Sequence, residues 1–198
     1  YGIQNLFPQD SLTIRIKFSE TVIGFSGNTS AFFAEGISVL SVLDDDPGWT
    51  EFIIVPMAPL LRGKVYKLYL YEGIRDFAGN QADHGSFSFG LPEIAGWGSL
   101  AFNEILFNPY PGEPDYLEFY NNSGKVLDAS RIYLASINSE TGDTSELVAL
   151  SDEHRCIIPG SFYVVTTDKD LLINRYMHSD PDLIFEISQL PSMPDDRG

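Results

Sequence analysis

Glu104 and Glu118 are the first residues in this chain whose types suggest bond-breaking chemistry. Two carboxylates on consecutive strands are the pair that glycosidic cleavage needs, one to protonate the leaving oxygen and one to act as base or nucleophile. No cluster of substrate-gripping side chains accompanies them, so the expected role is structural, with bonds to backbone or to Asn121. The histidines His84, His154 and His178 are isolated, and none has a partner at a metal-ligand spacing. His154-Arg155-Cys156 sets a cation beside a thiol, the arrangement that makes a cysteine nucleophilic. Cys156 runs directly into Ile157 and Ile158 in a strand-like stretch, which reads as buried and inert. The serine-elbow, phosphate-loop and dinucleotide glycine patterns are all absent. The expectation is a chain with no catalytic residues, not an enzyme.

Two acidic runs bear on metals. Asp44-Asp45-Asp46 offers three carboxylates in one loop, and Ser179-Asp180-Pro181-Asp182 offers two. Calcium takes about six to eight oxygens from spaced ligands, and neither run has the D-x-D-x-D-G spacing. No metal or cofactor is expected, and calcium is the one ion these loops leave open. Aromatic residues give the best hint of binding, because a ring face is large, apolar and rigid. Trp49, Tyr69 and Tyr71 are the candidate ligand-binding residues, for a sugar ring or a peptide. Tyr110 is a further aromatic of that kind, and Trp97 is expected to fill a domain junction.

Composition narrows the partners. With 43% hydrophobic and 13% aromatic residues, the 198-residue chain has ample material for a core, as one large domain or two of roughly 100 residues. Twelve Lys and Arg against 28 Asp and Glu give a net charge of −16. Phosphate backbones repel such a surface, and no basic stripe interrupts it, so nucleic acid is not an expected partner. No apolar run reaches the roughly 18 residues of a membrane span. A single cysteine rules out an internal disulfide and a multi-cysteine zinc site. The chain opens at Tyr1 with neither a signal peptide nor an initiating methionine, and is expected to be a piece of a longer protein.

Strand signals carry the framework that must position these residues. Over 11–18, Leu12, Ile14, Ile16 and Phe18 alternate with polar residues, giving one core face and one wet face. Over 64–72, Tyr66, Leu68 and Leu70 alternate with Val65, Lys67, Tyr69 and Tyr71. The second of those faces is unusually apolar for a wet one. Strands at 36–43 and 50–56 flank the Asp-Pro-Gly turn of a hairpin, and a strand at 85–89 follows the tight turn at 76–80. Leu61-Arg62-Gly63-Lys64-Val65-Tyr66 has the pattern of a tyrosine corner, which favours an immunoglobulin-like sandwich. Beyond a Pro- and Gly-bearing linker at 91–98, strands are expected at 99–107, 116–120, 131–136, 146–150 and 162–167. Only 168–177 has helical spacing, with Leu171, Leu172 and Tyr176 on one side.

Two stretches resemble known families. Phe18-Ser19-Glu20-Thr21-Val22, Leu61 to Tyr66 and Asp76 to Asn80 make residues 1–90 similar to the bacterial immunoglobulin-like domains of surface-layer and other exported proteins. Asn103 to Pro109, Asp115 to Asn121 and Ile158 to Val165 make residues 99–198 resemble a bacterial lamin-tail domain. The resemblance implies an all-β chain: two immunoglobulin-like β-sandwiches in tandem, joined by 91–98. Family members continue past a segment like Leu190 to Asp196, so the second sandwich is expected to be incomplete at its C-terminus, with an unpaired edge. The implied function is a non-catalytic binding, adhesion or spacer module of an exported bacterial protein. It would meet protein or glycan outside the cell, at the surface or in the periplasm. The alternative is an accessory carbohydrate-binding module of a secreted hydrolase whose catalytic domain lies elsewhere.

Overall fold

The computed structural model describes residues 2–71, 73–82, 85–138, 140–176 and 180–191, so His84 and His178 lie outside the described residues. It is built of strands, and the chain divides into two compact units. The first comprises Tyr1–Glu93 with Lys125–Leu127, and the second Ile94–Gly124 with Asp128–Gly198.

The first unit contains β1 (Ile3–Asp10), β2 (Thr13–Phe18), β3 (Phe32–Glu35), β4 (Val39–Asp44), β5 (Glu51–Pro56), β6 (Tyr66–Leu70) and β7 (Ser86–Phe89). One sheet runs β1-β2-β5-β4 and the other β3-β6-β7, with all neighbours antiparallel. Strict alternation explains β2 and β5: Ile14 and Ile16 face inward opposite Ile54 and Phe52, and all four are fully buried. Phe25, in the connection between β2 and β3, joins the sheets. Its ring lies 5.1 Å from Phe18 and 5.0 Å from Phe52 on one sheet, and 5.4 Å from Phe32 on the other. The Tyr66 hydroxyl accepts the Leu61 N–H at 3.0 Å, the corner that the Leu61–Tyr66 spacing predicts. Gly63 makes that return possible with φ at 68°, a backbone state costly for any residue with a Cβ.

Three sequence expectations shift here. Leu12 is exposed, because it sits in the β1–β2 turn where its N–H binds the Asp10 carboxylate. Strands β1 and β3 have no counterpart in the sequence reading. Polar Gln4, Asn5 and Gln9 break the alternation of β1, and β3 is only four residues long.

In the second part of the chain lie β8 (Leu100–Leu106), β9 (Tyr116–Asn121), β10 (Leu127–Asp128), β11 (Tyr133–Leu134), β12 (Val148–Ala149), β13 (Cys156–Ile157), β14 (Phe162–Thr166), α1 (Lys169–Arg175) and β15 (Ile184–Glu186). The main sheet runs β15-β14-β9-β8. Phe119, Tyr163 and Phe185 stack across it at 5.5–6.4 Å, and the Arg155 guanidinium lies 4.8 Å above Phe185. Strands β14 and β15 are parallel, so the chain must cross over between them, and α1 lies in that crossover. Asp168 caps α1 by accepting the Leu171 N–H at 2.8 Å. Of the three residues expected on the helix's inner side, only Leu172 is buried. The strands expected over 131–136 and 146–150 contract to the two-residue ladder of β11 and β12.

A second tyrosine corner appears at Ile158-Pro159-Gly160-Ser161-Phe162-Tyr163. The Tyr163 hydroxyl accepts the Ile158 N–H at 2.8 Å, with Gly160 at φ 72°. Residue type and five-residue spacing repeat those of Leu61 to Tyr66. Strand β8 ends its sheet, and its outer side is unpaired among the described residues. Phe102 and Ile105 lie opposite Phe119 and Leu117 in register, yet are 61% and 48% exposed. Of residues 190–196, on which the expectation of an incomplete second sandwich rests, 192–196 lie outside the described residues.

These contrasts set a stability test. Phe25→Ala is expected to cost about 3–5 kcal/mol, as a buried ring does, and Phe102→Ala about 0.5 kcal/mol or less. Urea unfolding of the full chain measures both; similar losses would show that Phe25 does not hold the sheets together.

Candidate functional site

Two aspartate-wrapped loops present aromatic rings on the first unit. In the β4–β5 loop the Asp46 carboxylate accepts the N–H groups of Gly48, Thr50 and Glu51 at 2.7–2.8 Å, and the Thr50 hydroxyl at 3.2 Å. Those bonds, the one from Glu51 foremost, hold the Asp46 carboxyl below its ordinary range. Wrapping the backbone around one carboxylate leaves Trp49 at φ 54°, the left-handed region a bulky side chain rarely adopts. In the second loop Asp76, which is buried, accepts the Asn80 side-chain amide at 2.6 Å and the Asn80 N–H at 2.8 Å. The Asn80 side chain is the main reason its carboxyl also stays below the usual range. Phe77 stands at the tip of this turn.

The candidate aromatics separate into two pairs. Trp49 is 44% exposed and meets Phe77, itself 70% exposed, at 6.2 Å between ring centroids and 39° between planes. Tyr69 lies instead on the outer face of β6, stacked on Phe33 of β3 at 6.1 Å, and exposed Tyr71 follows it. The apolar outer face read from 64–72 is therefore open to solvent. Phe33 and Phe77 are partners the sequence reading missed. A phenylalanine at the tip of an Asp-Gly-Asn turn was the available signal for the second. Tyr110 is exposed, and Trp97, expected to pack at a junction, is fully exposed.

Residues considered for catalysis are occupied with other work. Glu104 and Glu118 face each other across β8 and β9. Glu104 accepts the Tyr116 hydroxyl at 2.8 Å, and Glu118 accepts the Asn103 amide at 2.5 Å. Both partners are side chains, not the backbone or Asn121 that the sequence suggested. Burial first, and then the Glu104 carboxylate, push the Tyr116 phenol well above its ordinary pKa. Asn121 is fully buried and braces the turn itself, donating to the Ile157 carbonyl at 3.0 Å and accepting from Ser123.

The fold brings together a serine, a histidine and an aspartate that the sequence did not associate. His154 Nδ1 is 2.8 Å from the Asp128 carboxylate and 2.9 Å from the Ser130 hydroxyl, while Ser130 also donates to Asp128 at 2.8 Å. A hydrolase relay needs serine and aspartate on opposite ring nitrogens. Here both meet Nδ1, so the cluster satisfies buried Asp128 and differs from the relay geometry. Cys156 is half-buried in β13, and its carbonyl takes the Tyr163 hydroxyl at 3.5 Å.

Within each acidic run the carboxylates serve separate partners. Asp46 wraps its loop, Asp45 pairs with Arg15 at 2.7 Å, and Asp44 is exposed at the end of β4. Asp180 caps the short turn that leads to β15, and Ser179 lies outside the described residues. No group of three His, Cys, Asp or Glu among the described residues is placed to hold a metal ion. No helix among them is long and apolar enough to cross a membrane.

No family model and no curated protein matches the chain. Among solved structures it is similar to the N-terminal part of the bacterial S-layer protein SbsC, at 13% identity and a TM-score of 0.41, over 81% of this chain and 44% of that one. It is also similar to the S-layer protein rSbsC(31-844), at 14% identity, and to domains 1-6 of surface layer protein SbsC, at 15%. Both have TM-scores of 0.41 and cover 83% of this chain and 32% of theirs. The chain spans less than half the length of each. Likeness at this level leaves the functional reading to the geometry.

The perturbed groups predict a pH profile. Asp46 and Asp76 are held below their unfolded values, so the stability they contribute is present above about pH 4 and lost as pH falls below it. Burial pushes the Tyr163 phenol up to about 12, so the folded state keeps a proton that the unfolded chain releases near pH 10. Stability is then intact below about pH 10 and declines as pH rises toward 12. Urea unfolding across pH checks both arms: Asp76→Asn should blunt the acid loss and Tyr163→Phe the alkaline one. Profiles unchanged by these substitutions would remove the assignment.

Proposed function

We propose that this chain is a non-catalytic module of an exported bacterial protein, serving in spacing, adhesion or ligand display at the cell surface or in the periplasm. The observation that carries the reading is the commitment of reactive side chains to the fold. Glu104, Glu118, Asp128 and His154 are bound to neighbours in the same framework, and no buried side-chain nitrogen or oxygen among the described residues lacks a partner.

The domain reading is residues 1–90 as an immunoglobulin-like sandwich, 91–98 as linker and 99–198 as a lamin-tail-like domain. Supporting the first part, the sheets β1-β2-β5-β4 and β3-β6-β7 follow the order of a seven-stranded constant-type immunoglobulin sandwich, with a tyrosine corner opening its sixth strand. The second corner, at Tyr163, supports a related construction for the later part. Partners on this reading are protein or glycan outside the cell. Purified chain incubated with chromogenic glycosides, esters and phosphate esters is expected to release no product above the buffer rate. Turnover that survives repurification would discard the proposal.

A second reading, an accessory carbohydrate-binding module of a secreted hydrolase, is favoured by exposed Trp49 and Tyr71 and half-buried Tyr69. On that reading Tyr71→Ala lowers retention on a glycan surface while the fold persists, because Tyr71 is exposed.

A further inference from the structure

We infer that β8 is the docking edge for a second copy of this chain, the two β8 strands pairing antiparallel about a two-fold axis. The sheet β15-β14-β9-β8 stops at β8, whose outer side is unpaired among the described residues. Edge strands are ordinarily defended by shortness, lysine, proline or charge. Strand β3 has four residues and β15 three, and β4 ends in exposed Asp44. Strand β8 has seven residues, with no lysine or proline and a single charge, Glu104. A bulge between Phe102 and Glu104 interrupts its register, and sets Phe102 and Ile105 opposite Phe119 and Leu117.

Residues opposite each other on neighbouring strands share a face of the sheet. Phe119 and Leu117 are buried, whereas Phe102 and Ile105 beside them stay 61% and 48% exposed. The cover over β9 therefore stops short of β8, and an apolar row lies open at the margin of the sheet. Leu100, opposite buried Asn121, belongs to the same row, and exposed Phe107 follows two residues after Ile105.

The order of side chains along β8 selects the occupant. When the strand pairs antiparallel with itself, one register sets Phe102 opposite Ile105 of the second copy, and Ile105 opposite its Phe102. The same register sets Leu100 opposite Phe107, Ala101 opposite Leu106 and Asn103 opposite Glu104. Each apolar residue then meets an apolar one, and the one charge meets a side-chain amide. A slip of one residue in one direction sets Glu104 against Phe102. In the other direction it sets Glu104 against Glu104, a like-charge pair. A two-fold interface requires this self-complementarity, because residue i meets j and j meets i. With one charge in the strand, the edge has no row that would select a charged peptide instead. The product is a continuous eight-stranded sheet, four strands from each copy.

Net charge opposes the pairing. Two copies at −16 repel at long range, so the dimer should tighten as salt screens them. One strand from each copy makes a small interface, which implies micromolar rather than nanomolar affinity.

Sedimentation of the full chain across a wide concentration range is the first test. A monomer–dimer equilibrium is expected, stronger at high salt than at low. Ile105→Lys should weaken it at least about tenfold, since pairing would strip water from an ammonium against a ring. Because Ile105 is already exposed, the melting temperature of that variant should barely move. Disulfides then read the register. In a Cys156→Ser background, copies carrying Phe102→Cys are mixed with copies carrying Ile105→Cys and oxidised. The mixed disulfide should outnumber either like-with-like product, because bridging needs residues that face each other. A chain that stays monomeric at high concentration and high salt overturns the inference. So does a dimer indifferent to Ile105→Lys, or one in which like-with-like disulfides prevail. Slow exchange of every β8 amide in the dilute monomer overturns it too, since the chain's own residues would then cover the edge. The non-catalytic reading stands or falls separately, on turnover.

Discussion

Phe25 belongs to no strand, has no exposed surface, and touches Phe18 and Phe52 on one sheet and Phe32 on the other. A sheet with one apolar face must cover that face, and in the first unit this ring fills the space where the two inner faces meet. Once it is in place, the alternation along β2, β5 and β6 determines which side chains point outward. Tyr69 is outward because Leu68 and Leu70 are inward. The exposed aromatic surface of the unit is thus a by-product of core registration, refined by the loops.

Loop construction follows a single chemical device used twice. Asp46 and Asp76 each gather the donors of the following residues onto one carboxylate, which converts a flexible connection into a defined shape. Charged acceptors with several donors make stronger bonds than neutral ones, so both turns keep their form without burying apolar surface. That economy frees Trp49 and Phe77 from packing. The same logic runs through Asp128, Asp168 and Asp180, each accepting a nearby backbone N–H. Five of the 28 acidic residues, Asp46, Asp76, Asp128, Asp168 and Asp180, thus serve loop and cap chemistry.

Legibility in the sequence tracked local regularity. Strands β2, β5, β6 and β9 were readable because alternation survives along their length, and the Tyr66 corner because its residue types and spacing are local. Strand β1 was not, since Pro8 and scattered polar residues hide a pattern that only pairing with β2 restores. The stretch around Phe25 and Phe32 carried no periodicity because its role is set by two sheets at once. At the candidate site, Trp49, Tyr69 and Tyr71 were nameable individually. Their partners Phe77 and Phe33 were not, since each pairing joins segments distant in the chain. The Asp128, Ser130 and His154 cluster was missed for the same reason.

Gly90 has a consequence for how such a chain can be divided. A Cβ at that position would lie 2.6 Å from the Lys64 carbonyl oxygen and 2.7 Å from a Val126 methyl, and the Glu93 N–H bonds the Val126 carbonyl at 2.8 Å. Lys125–Leu127 therefore completes the first unit, although residues on either side belong to the second. The first unit is discontinuous along the chain. A fragment cut after residue 93 would carry a first unit lacking three of its own residues.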